Sequence, residues 1–199
     1  MDVTNTKTKY NVGIFLFKDI ETLDFAGPFE VFSVASELNG FEPFNVFTIA
    51  KTKYPIQTVH GLSVNPTYAF GNHPEIDILI VPGGVGTRKV VKDIETMNWV
   101  RKNQNSAQLT LTVCTGAMVL GMLGLLDGKE YTTHHLLFDE MANFAPNGHL
   151  IKGQRFVESG KIFTSAGISA GIDLSLHIVA KLFGNKVAEQ TAKYMEYRT

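Results

Sequence analysis

Short, mostly apolar segments that alternate with helical ones are the feature that most constrains the fold of this chain. Residues 12–17, 45–50 and 76–81 are dominated by apolar side chains, and residues 109–113 alternate leucine, threonine and valine. A strand without a polar face has to be covered on both sides, as the strands of parallel sheets are. Because helical segments separate these strands, the sequence predicts an α/β fold with a mostly parallel sheet between two layers of helices.

Turn and helix signals place the remaining elements. Residues 19–24 are predicted to form a loop, and Pro28 is then placed in the first turn of a helix that ends near Gly40. Proline costs little there because its missing N–H would have no partner in that turn. Hairpins are predicted at residues 56–64 and 156–164. The other predicted helices cover residues 93–103, the segment after residue 114 as far as residue 127, residues 136–143, a long segment that ends at Gly184, and residues 187–195.

Length, charge and cysteine content exclude several classes of protein. The 199 residues are 44% hydrophobic, which suits one domain spanning residues 1–199. A net charge of −1 gives no electrostatic attraction to nucleic acid or to an anionic membrane. One cysteine excludes an internal disulfide and a multi-cysteine metal site, and a free thiol is typical of a reducing compartment. Residues 1–10 are polar and lack the apolar core of a signal peptide, so we expect a cytoplasmic protein.

The single cysteine, Cys114, lies where a predicted strand ends and a helix begins. Such a strand–turn–helix context is what a nucleophile elbow requires. The helix start behind the cysteine presents unpaired N–H groups and a positive dipole, and both favour a thiolate. The alternative is that Cys114 is a small buried hydrophobic residue, as most free cysteines are.

Three further candidates follow the ends of predicted strands, where ligands bind in parallel sheets. Asp24 is flanked by leucine and phenylalanine, so desolvation is expected to raise its pKa and make it a proton donor near neutral pH; the alternative is a carboxylate that caps a helix. The amides of Gly83 and Gly84 are candidates for an anion hole, the alternative being an ordinary turn. The hydroxyl of Thr115 is expected to bond Asp24 or a substrate, or else to cap the helix.

The histidines give a weaker signal. His134 and His135 are adjacent, so we expect them to point in different directions, one structural and one at the rim of a pocket. They lack the i, i+4 spacing of a helical metal pair, and we therefore expect no metal. The small residues 165–171 favour close backbone approach to a pocket, and tight helix packing explains them equally well.

Taken together, several motifs resemble those of the ThiJ/PfpI superfamily. They are Leu23-Asp-x-x-Gly-Pro28, Pro82-Gly-Gly84, Val113-Cys-Thr-Gly116, Thr132-Thr-His134 and Ala166-Gly-Ile-x-Ala-Gly-Ile-Asp173. The resemblance covers nearly the whole chain. It implies a flavodoxin-like three-layer α/β/α sandwich with a nucleophile elbow, and a homodimer.

Within that superfamily the chain is most similar to the isonitrile hydratase branch, which has aspartate after the first strand and threonine after the cysteine. The resemblance implies that Cys114 is the nucleophile, Asp24 the acid and base, and Thr115 a hydrogen-bonding partner. It assigns substrate contacts to Gly83, Gly84, His135 and Ile168. His135 occupies a position where a tryptophan is familiar in this branch. This difference affects the expected identity of the substrate more than the expected fold.

The implied reaction is hydration of an isonitrile, a small electrophile, to an N-substituted formamide without a cofactor or metal. The alternatives are glyoxalase, deglycase or amidase chemistry, and a cysteine-based stress or redox sensor. Similar domains occur in AraC-like regulators, but the sequence leaves no room for their C-terminal DNA-binding region after the last predicted helix. We therefore expect no nucleic-acid partner and no membrane partner.

Overall fold

A computed structural model describes residues 9–198 as a layered α/β domain. The strands are β1 Tyr10–Phe15, β2 Phe44–Ala50, β3 Ile56–Gln57, β4 Ser63–Val64, β5 Tyr68–Ala69, β6 Ile78–Val81, β7 Leu109–Thr112, β8 Glu130–Tyr131, β9 His149–Leu150, β10 Phe156–Ser159 and β11 Ile162–Ser165. The helices are α1 Thr22–Glu37, α2 Thr87–Val90, α3 Ile94–Ser106, α4 Gly116–Met122, α5 Ala170–Phe183 and α6 Asn185–Tyr194, with 3₁₀ turns at His135–Leu137 and Met141–Asn143.

The main sheet confirms the predicted fold class. Its strand order is β10-β11-β7-β6-β1-β2-β5, and every pair is parallel except β10 with β11 at one edge. Alternate side chains of β1 reach opposite helix layers. Tyr10 packs edge-on against Phe183 of α5, whereas Phe15 contacts Trp99 of α3. The architecture is a flavodoxin-like α/β sandwich.

Both predicted hairpins and the last two helices are confirmed. Strands β3 and β4 pair in antiparallel fashion, as do β10 and β11. Helix α5 ends at Phe183 and is capped by Gly184, whose φ of +90° lies in the region that favours glycine.

Three local predictions are wrong. Helix α1 begins at Thr22, so Asp24 lies in its first turn and Pro28 lies inside the helix. Proline removes one hydrogen bond there, and packing of α1 against the sheet and α5 compensates for the loss. The predicted helix at residues 136–143 is two 3₁₀ turns, and the helix after Cys114 ends at Met122, because Gly124 has a φ of +68° that breaks it.

The sequence predicts neither a signal peptide nor a membrane-spanning segment. The prediction that the N-terminus is no signal peptide rests on residues 1–8 in particular, which lie outside the described residues. Among the helices within residues 9–198, none has the length and apolar character needed to span a bilayer.

Candidate active site

Cys114 lies at a sharp corner between β7 and α4. Its φ of +57° is unusual for a residue other than glycine, and such strained residues persist where the surroundings hold them. The Cys114 amide donates to the Ala166 carbonyl at 3.2 Å, and the Thr133 hydroxyl donates to the Cys114 carbonyl at 2.8 Å. A side chain is excluded at Gly116, where a Cβ would lie 2.1 Å from the Val81 carbonyl. This is the geometry of a nucleophile elbow.

Asp24 reaches the same corner from the first turn of α1. Its side chain is completely buried, and its Oδ2 accepts a hydrogen bond from the Gly83 amide at 3.0 Å. Among the described residues, Oδ1 has no hydrogen-bond partner, and the carboxyl group lies beside the Cys114 thiol. Burial raises the pKa of Asp24 to about 7, and the Gly83 and Cys114 hydrogen bonds offset only part of that rise. Near neutral pH this carboxyl therefore both gives and takes protons.

The surroundings of Cys114 act on the pKa of its thiol in opposite directions. Burial raises the pKa of the thiol, and the neighbouring Asp24 charge raises it further. The amides of Thr115 and Ile168 point at the sulfur and lower its pKa, but they do not outweigh burial. The thiolate-favouring effect of the helix start is therefore outweighed, because the cysteine is buried beside a carboxylate and α4 is only seven residues long. Cys114 rests as a thiol beside a proton acceptor.

The two glycines and Thr115 form a structural unit under the sulfur. The Gly84 amide donates to Thr115 Oγ1 at 2.9 Å, and Thr115 Oγ1 donates back to the Gly84 carbonyl at 3.1 Å. Both glycine amides are thus engaged by side chains, Gly83 by Asp24 and Gly84 by Thr115. The predicted anion hole does not lie at these amides, and Thr115 bonds the turn rather than Asp24. The amides near the sulfur belong to Thr115 and Ile168.

A cavity of about 280 Å³ opens above Cys114. Its lining includes the predicted residues Cys114, Thr115, Gly84 and Ile168. Gly83 lies beneath it, enclosed by Thr115 and Asp24. The sequence pattern predicted one histidine of the pair 134–135 at the pocket rim, and it did not indicate five other lining residues: Glu21, Val85, Arg88, Leu136 and Leu137. For Glu21 a signal was present, since it follows β1 three residues before Asp24.

His134, rather than His135, lines the cavity. The two rings do not point apart as predicted but stack with centroids 4.4 Å apart, and His135 is exposed. His134 packs on Gly167, where a Cβ would lie 2.0 Å from its ring, so tight packing explains that small residue. Burial lowers the pKa of His134, which favours its neutral form. Within residues 9–198, no three His, Cys, Asp or Glu side chains are grouped as metal ligands.

Comparison with known proteins gives a consistent result. The model of the DJ-1/PfpI family matches residues 10–181. The isonitrile hydratase of Pseudomonas putida is 33% identical over 186 residues, which are 94% of this chain and 78% of the hydratase. The HTH-type transcriptional regulator GbdR of Pseudomonas aeruginosa is 25% identical over 94% of this chain, but the chain spans only 50% of the regulator. A crystal structure of a ThiJ/PfpI family protein from Pseudomonas syringae has a TM-score of 0.86 and 27% identity, and it covers 100% of this chain and 81% of that one.

Proposed function

Because this chain belongs to the DJ-1/PfpI family, we propose that it is a lyase of the isonitrile hydratase type. The proposed reaction adds water to an isonitrile and releases an N-substituted formamide. The main structural support for this proposal is that the thiol of Cys114 lies beside the buried Asp24 carboxyl at the base of the cavity. The 33% identity to an isonitrile hydratase supports this choice of substrate.

The first half of the proposed reaction adds the thiol across the terminal carbon of the isonitrile. Asp24 accepts the proton of Cys114 while the sulfur forms a bond to that carbon. The carbon gains an electron pair and takes the same proton from Asp24, which yields a thioimidate bound to Cys114. A carboxyl with a pKa of about 7 suits both transfers, because neither of its protonation states is strongly favoured near neutral pH.

The second half releases the product. Asp24 accepts a proton from water as the water oxygen attacks the thioimidate carbon, and it gives this proton to the nitrogen as the C=N bond becomes single. The new hydroxyl group then gives its proton to Asp24 as the C=O bond forms and the carbon–sulfur bond breaks, which frees the formamide. Asp24 passes that proton to the departing sulfur, which regenerates the thiol. The amides of Thr115 and Ile168 stabilise the negative charge that develops on the departing sulfur. The balance is one isonitrile and one water for one formamide.

The direct test is formamide production from a panel of alkyl and aryl isonitriles. We expect turnover by the native protein and none by Cys114→Ala, a substitution that fills nearly the same buried space. Full turnover by Cys114→Ala or Cys114→Ser would exclude the mechanism. Circular dichroism of each variant controls for loss of fold.

A second candidate is ligand binding without turnover. The match to half of a transcriptional regulator supports it. A redox sensor would use the same sulfur, because oxidation and nucleophilic attack both require the thiolate, and oxidation of Cys114 therefore does not distinguish the two roles. Saturable binding of isonitriles with no formamide formed would support this candidate and exclude the hydratase.

We also propose that the enzyme is a cytoplasmic homodimer. A single free cysteine in the sequence supports a reducing compartment. Light scattering should give a particle of twice the 22.0 kDa chain mass; a particle of one chain mass would exclude the dimer.

A further inference from the structure

Glu21 adds a carboxylate to the wall of the cavity above Cys114. The residue immediately precedes α1, and its amide donates to the Gly83 carbonyl at 2.9 Å, which fixes its backbone beside the catalytic turn. Its side chain is 19% exposed, so it is neither sealed in the core nor free in solvent. Its carboxylate lines the cavity, and its charge acts to raise the pKa of both Asp24 and His134.

The other charged groups of the cavity lining are neutralised. Arg88 donates through Nη2 to both carboxylate oxygens of Glu140 at 3.0 Å, so its charge is already paired. His134 favours its neutral form because burial lowers its pKa. Among the described residues, the ion-pair partner of Glu21 is His60, at 3.7 Å from Nδ1 and with a side chain that is 73% exposed. Such a long, solvent-exposed contact contributes little and gives way easily to a ligand.

The remaining wall is apolar. Val85, Leu136, Leu137 and Ile168 surround the opening to Cys114. A molecule that reaches the sulfur therefore contacts these apolar side chains, and the lining of the same cavity presents the carboxylate of Glu21 to it. A positive or N–H-donating group on that molecule would complete the contacts of Glu21, whereas an anionic group would be repelled.

We propose that Glu21 is a specificity-determining residue that selects electrophiles carrying a positive charge, such as a protonated amine, several bonds from the reacting carbon. The proposal deepens the hydratase function and rests on it for the choice of an isonitrile as the electrophile. The charge selection itself belongs to the cavity, and it applies to any reagent that reaches Cys114.

The test uses Cys114 as its own reporter, since it is the one cysteine of the sequence. The protein is treated at about pH 8 and low ionic strength, where imidazoles are largely neutral and charge effects are least screened. The reagents are three methanethiosulfonates, whose transferred groups are aminoethyl (cationic), methyl (neutral) and sulfonatoethyl (anionic). Each gives up its thioalkyl group to the sulfur and releases methanesulfinate, while the thiol proton passes to solvent. Intact-protein mass follows the rate.

The measured quantity is the rate with the cation divided by the rate with the neutral reagent. This ratio cancels any change in the general reactivity of the thiol, including a change that acts through Asp24. We expect Glu21→Gln to lower the ratio roughly fivefold, a size typical of one partly screened charge. Glu37→Gln, which removes the same charge from the exposed far end of α1, should leave the ratio unchanged.

A second variant protects the test against misfolding of the first. Glu140→Gln removes the carboxylate that pairs with Arg88 in the cavity lining, and it should also lower the ratio and favour the anionic reagent. An unchanged ratio in Glu21→Gln, or equal changes in Glu21→Gln and Glu37→Gln, would overturn the proposal. These reagents require no hydratase activity, so charge selection without isonitrile turnover would refute the proposed function alone. Turnover without charge selection would refute the role of Glu21 alone.

Discussion

Replacement of Asp24 by asparagine should make the protein more stable at alkaline pH while it abolishes turnover. Asp24 is completely buried, and burial raises its pKa from 3.8 to about 7. Between these values the folded protein holds a proton that the unfolded chain has released. The free energy of unfolding therefore falls as pH rises. The contribution of the Asp24 proton is present in full below the pKa of the unfolded chain, and it is lost as the pH rises through the pKa of the folded protein.

The size of the effect follows from the shift. A rise of about three pKa units corresponds to on the order of 4 kcal/mol of unfolding free energy lost between acid and alkaline pH. Asparagine carries no charge, so this loss disappears in the variant. Its amide keeps the Gly83 contact but places an N–H₂ group where Oδ1 has no partner, at a pH-independent cost of about 1–2 kcal/mol. The difference between variant and native protein should shift by about 3 kcal/mol in favour of asparagine between about pH 5 and pH 8.

The assay is urea unfolding at these two pH values. Trp99, the one tryptophan of the sequence, is buried and stacks on Phe70 with centroids 4.3 Å apart, so its fluorescence reports loss of the core. Asp139→Asn is the matched control, since it makes the same substitution at an exposed position. A difference between Asp24→Asn and the native protein that is equal at both pH values would refute the reasoning.

Three other predictions concern the same site and its support. Alkylation of Cys114 by iodoacetamide should accelerate as pH rises through about 7, where Asp24 becomes a proton acceptor. In Asp24→Asn this increase in rate should move to higher pH. Identical pH profiles for the two proteins would contradict proton transfer from Cys114 to Asp24. Gly83→Ala should lower the free energy of unfolding by about 3 kcal/mol, because a Cβ would lie 2.5 Å from the Thr115 amide nitrogen. Gly153→Ala is the control, since a Cβ there meets open space at a φ of +81°, and it should lower that free energy by only about 1 kcal/mol. Thermal unfolding measures both variants. Lys161→Met should lower the free energy of unfolding, measured in urea, by about 2 kcal/mol, because Nζ donates to three carbonyls at the end of α3 at 2.6, 3.1 and 3.1 Å. An unchanged urea midpoint would show that water replaces these hydrogen bonds.

The place of the candidate site could be predicted from sequence because it depends on strand ends. Apolar runs identify the parallel strands, and the carboxyl ends of such strands meet at one edge of the sheet. Cys114, Asp24 and the Gly83-Gly84 turn follow three of them, and the structure brings all of these together. The start of α1 was missed, since Pro28 is a helix-start signal on average and tertiary packing overrides it here.

The chemical state of the site could not be predicted because it depends on packing across the sheet. Sequence shows the helix start behind Cys114, which favours a thiolate, but not the burial and the Asp24 neighbour that raise the pKa of the thiol. Likewise, the sequence does not show that the amides of Gly83 and Gly84 donate to Asp24 and Thr115. The choice between His134 and His135 is set by the close contact of one ring with Gly167, a residue far away in sequence.

The most direct test of the account is a rapid-quench measurement of intact-protein mass after the protein is mixed with one equivalent of an isonitrile. The account predicts a transient species heavier by the whole mass of the isonitrile, located on the peptide of Cys114, which decays as formamide appears. Formamide that forms without this adduct, or an adduct on another residue, would contradict the central claim that the thiol of Cys114 attacks the isonitrile.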